Sequence, residues 1–207
     1  MKNIMIISTI LITAFSCKAQ QVQPRYTPEG YARDNIYYKD VDNDYNCFEG
    51  TWIYTNGNTS LTVTLQKKVM KLIQDDSHNF YIDAIIGEYK YIEDGIVIIN
   101  TLSNLSQNHE NPYKYNITGG TISKNQDPLC SNCDPDDIKV ICSFSDPERD
   151  ILGMEANFIM RHYTENGVEK IAVVFRGGGM IASDPERNPQ GYTSYSLPFG
   201  EYALIKQ

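Results

Sequence analysis

Thr55-Asn56-Gly57-Asn58, followed by Ser60-Leu61-Thr62-Val63-Thr64-Leu65, is the stretch on which the fold turns. Asn-Gly accepts the positive φ angles of a tight hairpin turn. Beyond it Leu61, Val63 and Leu65 alternate with Ser60, Thr62 and Thr64, the period of two that marks a strand with one buried face. Glu93-Asp94-Gly95 and Glu165-Asn166-Gly167 repeat the turn chemistry. They separate Tyr89–Ile92 from Ile96–Asn100 and Phe158–Tyr163 from Lys170–Phe175. Further strands are expected at Val69–Ile73, Phe80–Ile86, Ile138–Phe144 and Tyr192–Ile205. The sum is an all-β chain, an antiparallel meander of about 8–10 strands that closes into a barrel or folds as a sandwich. Ser103–Asp137 has few periodic positions and many turn formers, and reads as a loop excursion over one end.

The amino terminus carries a different signal. Lys2 precedes Ile4–Phe15, an apolar run broken by Ser8, Thr9 and Thr13 and closed by Ser16-Cys17. Such a run is too short for a bilayer, which needs about 20 residues, so it reads as a signal helix for export. A small residue before cysteine at its end resembles a bacterial lipoprotein cleavage site, which makes residues 1–16 the signal peptide and Cys17 the lipidated first residue. The competing reading is ordinary cleavage after Ala19. Residues 17–46 then read as the lipidated terminus and a polar tether, with Gln20, Gln21, Pro24, Pro28 and the acids Asp40, Asp42 and Asp44. Residues 47–207 read as one β domain.

Charge limits the partners. Loss of residues 1–16 removes Lys2 and no acid, so the net charge moves from −8 to about −9. An acidic body lacks the electrostatic footprint of a nucleic-acid binder and is repelled by anionic lipid. Membrane attachment therefore falls to the lipid on Cys17. Lys18-Ala19-Gln20-Gln21 carries no acidic run of the kind that resembles a surface-export signal, so the expected placement is the outer membrane, facing the periplasm.

With Cys17 lipidated, Cys47, Cys130, Cys133 and Cys142 remain, an even set. In an oxidising compartment structural disulfides are the favoured reading, with three pairings open. A zinc site would need all four thiols, and a redox Cys130-Ser-Asn-Cys133 would need a helix start where Pro128, Asp134 and Pro135 stand instead. Asp40–Asp44 lacks the glycine and glutamate of a calcium loop. His78, His109 and His162 show no metal spacing, so no metal and no cofactor are expected. Gly177-Gly178-Gly179 lacks the Lys-Ser/Thr of a phosphate loop and reads as a bulge or corner. Ser145–Arg149 and Ser183–Arg187 are identical Ser-Asp-Pro-Glu-Arg turns. No hydrolase or metalloprotease motif occurs.

Phe48-Glu49-Gly50-Thr51-Trp52, the hairpin after it, Tyr89–Ile99 and the ending Pro198–Lys206 resemble an uncharacterised family of small, mostly flavobacterial Bacteroidota lipoproteins, a domain of unknown function. Asp184–Glu186 and Gly191-Tyr192 fit the same resemblance, which implies a location and carries no catalytic residue. Gly50-x-Trp52 is also similar to the opening of lipocalin-like barrels, where the tryptophan plugs one end. The expected function is thus a non-enzymatic, lipid-anchored binding or interaction module of the cell envelope, with an unidentified protein or small-ligand partner. The rivals are a carrier of a small apolar ligand and an envelope-polymer hydrolase.

Overall fold

A computed structural model describes residues 20–25, 34–74, 78–123, 137–179 and 190–207. The alternation at 60–65 lies in β4 (Thr59–Gln74), where Leu61, Val63 and Leu65 are buried and the intervening residues are half-exposed. β4 is the second arm of a hairpin with β3 (Gly50–Asn56), and it pairs along its length with β5 (Asn79–Glu93). All three expected turns form with positive φ, at Gly57, at Asp94-Gly95 and at Asn166-Gly167. The last joins β9 (Met154–Glu165) to β10 (Val168–Gly179). β11 (Gly200–Lys206) pairs with β10 and then with β3, through Ile205↔Ile53 and Lys206↔Trp52.

The sheet closes on itself. Around it run β5, β4, β3, β11, β10, β9, β8 (Lys139–Phe144) and β7 (Ile117–Ser123), and β7 returns to β5 through Ile85↔Gly119, Ile86↔Thr118 and Gly87↔Ile117. The result is an eight-stranded antiparallel barrel, not a sandwich. β7 lies inside the span expected to be a loop, and it is the closing strand. Its apolar period is interrupted by Gly119 and Gly120, which hold φ of +113° and +101° at a register shift. Gly120 is obligatory for a second reason. The Tyr45 hydroxyl donates to its carbonyl, and a Cβ there would stand 2.9 Å from that oxygen and 3.2 Å from the Ile85 nitrogen.

β5 spends the rest of the same edge on two further partners. β6 (Ile96–Asn100) pairs with Lys90–Glu93, and β2 (Ile36–Lys39) runs parallel to Tyr81-Ile82 with β1 (Gln21–Pro24) parallel on its outer edge. The reading of 17–46 as a tether is therefore corrected for its described residues. Arg25, Tyr38 and Asp40 are almost wholly buried, and Tyr45 packs into the barrel core. A shared carboxylate explains why. Asp83 accepts from the Tyr37 hydroxyl (2.6 Å), the Asp40 amide (3.0 Å) and the Met70 amide (2.9 Å), while the Arg25 Nε donates to the Asp83 carbonyl (2.9 Å). Asp40, expected to be solvated, accepts from the amides of Asp44 and Tyr45 and pairs with Lys67 at 2.8 Å.

Other boundaries also differ. Val69–Ile73 continues β4 across a bulge between Lys68 and Lys71, and Phe80–Ile86 and Tyr89–Ile92 form one strand. Of Tyr192–Ile205 only Gly200 onward is strand. The three glycines at 177–179 keep regular register with β9, and a Cβ on Gly177 would fall on the Phe199 ring. Gly177 leaves room for that aromatic and Gly179, at φ +97°, for the Gly153 carbonyl; the three do not form a bulge. Among the described residues no helix is long and apolar enough to cross a membrane, and the expected signal helix at 1–16 lies outside them.

Side chains fill the barrel interior. At the end where β3 begins, Trp52 donates its Nε1–H to the Phe48 carbonyl (2.8 Å), His162 stands edge-on to both rings, and Lys206 lies over Trp52. At the opposite end Phe144 contacts Tyr89, Phe158 and Phe175, and Tyr195 stacks on Phe175. The first Ser-Asp-Pro-Glu-Arg turn ties that end down. Asp146 accepts from the amides of Glu148 (3.0 Å) and Ser196 (2.6 Å), and Arg149 donates to the carbonyls of Ser194 and Tyr195.

Closure at β7 depends on a residue without a Cβ, so Gly120→Ala should cost at least about 2 kcal/mol through backbone strain and a clash with Tyr45. Chemical denaturation of the variant beside the parent chain measures it. A cost within error of zero would mean that Tyr45 and β7 move apart freely.

Candidate functional site

β5 leaves β7 at Gly87 and meets β6 again at Lys90, so the wall is split beside Glu88. The 3-10 turn Leu102–Gln107 and the start of β7 flank the split, and a cleft of about 520 Å³ opens there. Thr101, Asn104, Gln107, Lys114, Asn116 and Glu148 line it.

Glu88 forms its buttress. On the barrel's outer face, yet fully buried, its carboxylate accepts from Asn104 Nδ2 (2.6 Å), Asn116 Nδ2 (2.6 Å) and the Asn116 amide (3.2 Å). A buried anion held by amide donors is stabilised without a counter-ion, and it locks the rotamers of both asparagines. Asn104 is further held by donation to the Lys114 carbonyl (3.1 Å) and by the His109 ring nitrogen at 2.8 Å from its Oδ1. Asn116 Oδ1 accepts from the Ser145 hydroxyl (3.1 Å). Gln107, Lys114 and Glu148 sit at the rim with side-chain ends that make no hydrogen bond or ion pair among the described residues. The cleft therefore presents a cation, an anion and an amide above a rigid polar floor. That set suits a ligand with both donors and acceptors.

A second depression of about 460 Å³ follows the wall of β8–β11, where Lys139, Arg161, Ala172 and Ala203 stand in one cross-strand row. Its Arg161 is already engaged by Asp137 at 3.1 Å and by the Tyr163 ring.

The residues singled out by sequence do not converge on either site. Cys17, Cys130 and Cys133 lie outside the described residues, as do Asp134, Asp136 and the second Ser-Asp-Pro-Glu-Arg turn. Cys47 is a free thiol among the described residues. Its Sγ donates to the Asp44 carbonyl at 3.3 Å, within the turn that Asp40 caps, and burial pushes its pKa up to about 11. A raised pKa keeps the thiol protonated at neutral pH and lowers its reactivity as a nucleophile. Cys142 is buried in the barrel core, in register with Gly119 and Phe158. Among the described residues no group of three or more His, Cys, Asp or Glu side chains could hold a metal ion. His109 and Glu88 are both near the cleft, but each is committed to the asparagine scaffold. Arg149 serves the backbone carbonyls of Ser194 and Tyr195.

Glu88, Asn104 and Asn116 were missed by sequence reasoning. One signal was available: Glu88 interrupts an apolar run, Ile85-Ile86-Gly87-Glu88-Tyr89, where a solvated charge has no place. The asparagines come from loop segments and carry no periodic mark.

Fold and cleft together define a filled all-β barrel whose polar recess lies in its wall. A family profile described as a family of unknown function (DUF6705) matches residues 1–207, and the chain belongs to that family. No curated protein and no solved structure matches it.

Glu88→Gln turns an acceptor for three amide hydrogens into a group that brings two donors of its own. Stability should fall by about 1–3 kcal/mol in denaturant titration, the cost of stranded donors. Alkylation of Cys47 in the native protein should be slow at pH 7 and accelerate steadily toward pH 11, as followed by peptide mass spectrometry. A fast reaction at pH 7 would contradict the burial described.

Proposed function

We propose that this chain is an exported protein held at the outer membrane by a lipid on Cys17, facing the periplasm, and that its barrel is a non-enzymatic binding module acting through the wall cleft. The observation that carries the binding reading is the distribution of space. The lumen is occupied by Trp52, Phe144, Phe158, Phe175 and Tyr195, whereas the accessible recesses lie outside it, and the one beside Glu88 is polar.

That distribution favours a polar ligand or a partner protein over the apolar cargo of a lipocalin-like carrier. It also gives little support to an envelope-polymer hydrolase, because Glu88 and His109 are engaged by the asparagine scaffold and Glu148 has no second carboxylate beside it among the described lining residues. The acidic charge argues against nucleic acid as a partner.

Intact-mass analysis of protein purified from membranes should find Cys17 as the first residue, bearing acyl chains, and globomycin should block its maturation. An unmodified chain beginning at Gln20 would sink the anchoring reading. Native mass spectra should show no co-purified apolar ligand, and a stoichiometric lipid inside the barrel would restore the carrier.

A further inference from the structure

The first strand begins at Gln21, only four residues after Cys17. At about 3.3–3.6 Å per extended residue, the chain between them reaches at most about 14 Å. A lipid on Cys17 thus holds the outer edge of the β1-β2-β5-β4 sheet against the bilayer, with no long spacer. Five apolar side chains are exposed there, beside the polar Gln21, Lys39 and Gln74. Val22 is 50% exposed, Val41 43%, Val69 57%, Met70 46% and Leu72 40%. Val22 and Leu72 end one cross-strand row, Val22–Tyr37–Tyr81–Leu72, three strand spacings or about 14 Å wide. Met70 stands at the β4 bulge with φ +51°, a conformation unusual for its residue type. The Asp83 carboxylate holds it there by accepting its amide hydrogen at 2.9 Å. A pinned backbone that keeps a methionine in water is explained when that side chain has an apolar destination.

We infer that this patch is a membrane-contact surface, with Val22, Val41, Val69, Met70 and Leu72 entering the interfacial layer of the bilayer beside the anchor. The inference rests on lipidation at Cys17. The occupant is lipid and not a second copy, because the anchor already delivers this edge to the bilayer. The orientation follows. With the β1-β2 side down, β6 and its exposed Ile96, Val97 and Ile98, at the far end of β5, point away from the membrane.

The test uses full-length lipidated protein in phosphatidylethanolamine/phosphatidylglycerol vesicles that contain a diazirine-bearing phospholipid. After illumination, peptides spanning 21–24 and 69–72 should carry label several-fold above the peptide spanning 96–98. In Val22→Glu/Leu72→Glu, which alters only exposed side chains and should leave the melting temperature unchanged, labelling should drop to the level of 96–98. Equal labelling of both ends, labelling that survives the double variant, or a detergent-soluble dimer that buries residues 22 and 72 would overturn the inference while leaving the anchor intact. Absence of lipid on Cys17 in the same mass spectra would overturn the anchoring reading, and this inference with it.

Discussion

One edge of β5 carries the architecture. A strand edge offers a single row of hydrogen-bonding groups, and here three partners divide it: β2 at Tyr81-Ile82, β7 at Ile85–Gly87 and β6 from Lys90 to Glu93. Each segment excludes the others. The central one closes the barrel, so its partner must end where β6 begins, and the wall opens at Glu88. The cleft follows from closing an eight-stranded barrel on only three registered pairs. The outer part of the same edge accepts a parallel strand and so makes the N-terminal residues part of the fold.

Buried carboxylates stabilise the places where regular pairing stops. Asp83 and Asp40 serve the β4 bulge and the turn before β3, Glu88 serves the split, and Asp146 serves the segment over the aromatic end. All accept from backbone amides that have no ladder partner at those positions. A buried acceptor for an otherwise unsatisfied amide avoids the desolvation cost of that amide. Seen this way, the acidic composition has a structural component alongside its effect on solubility.

Much of the meander was legible because turn chemistry and alternation are local. Asn56-Gly57, Asp94-Gly95 and Asn166-Gly167 declare their hairpins, and Leu61, Val63 and Leu65 declare a buried face. β7 was not legible, because Gly119 and Gly120 break its apolar period and Gly120 is selected by the Tyr45 ring, a contact 75 residues away in sequence. The segment before β3 looked like a tether because polar residues dominate it. Yet Tyr37, Tyr38 and Tyr45 were a warning, since three large aromatics are costly to leave in water. The cleft was least legible, being built by one strand carboxylate and two loop amides whose meeting depends on closure.

The seam between β11 and β3 has a temporal meaning. The first barrel strand finds its second neighbour only in the last strand of the chain, through Ile205↔Ile53 and Lys206↔Trp52. Closure must therefore await the carboxyl terminus, and contacts this distant in sequence form slowly. A polypeptide synthesised amino end first remains an open, curling sheet until β11 emerges. The tryptophan at the barrel's base is sealed by the lysine that arrives last.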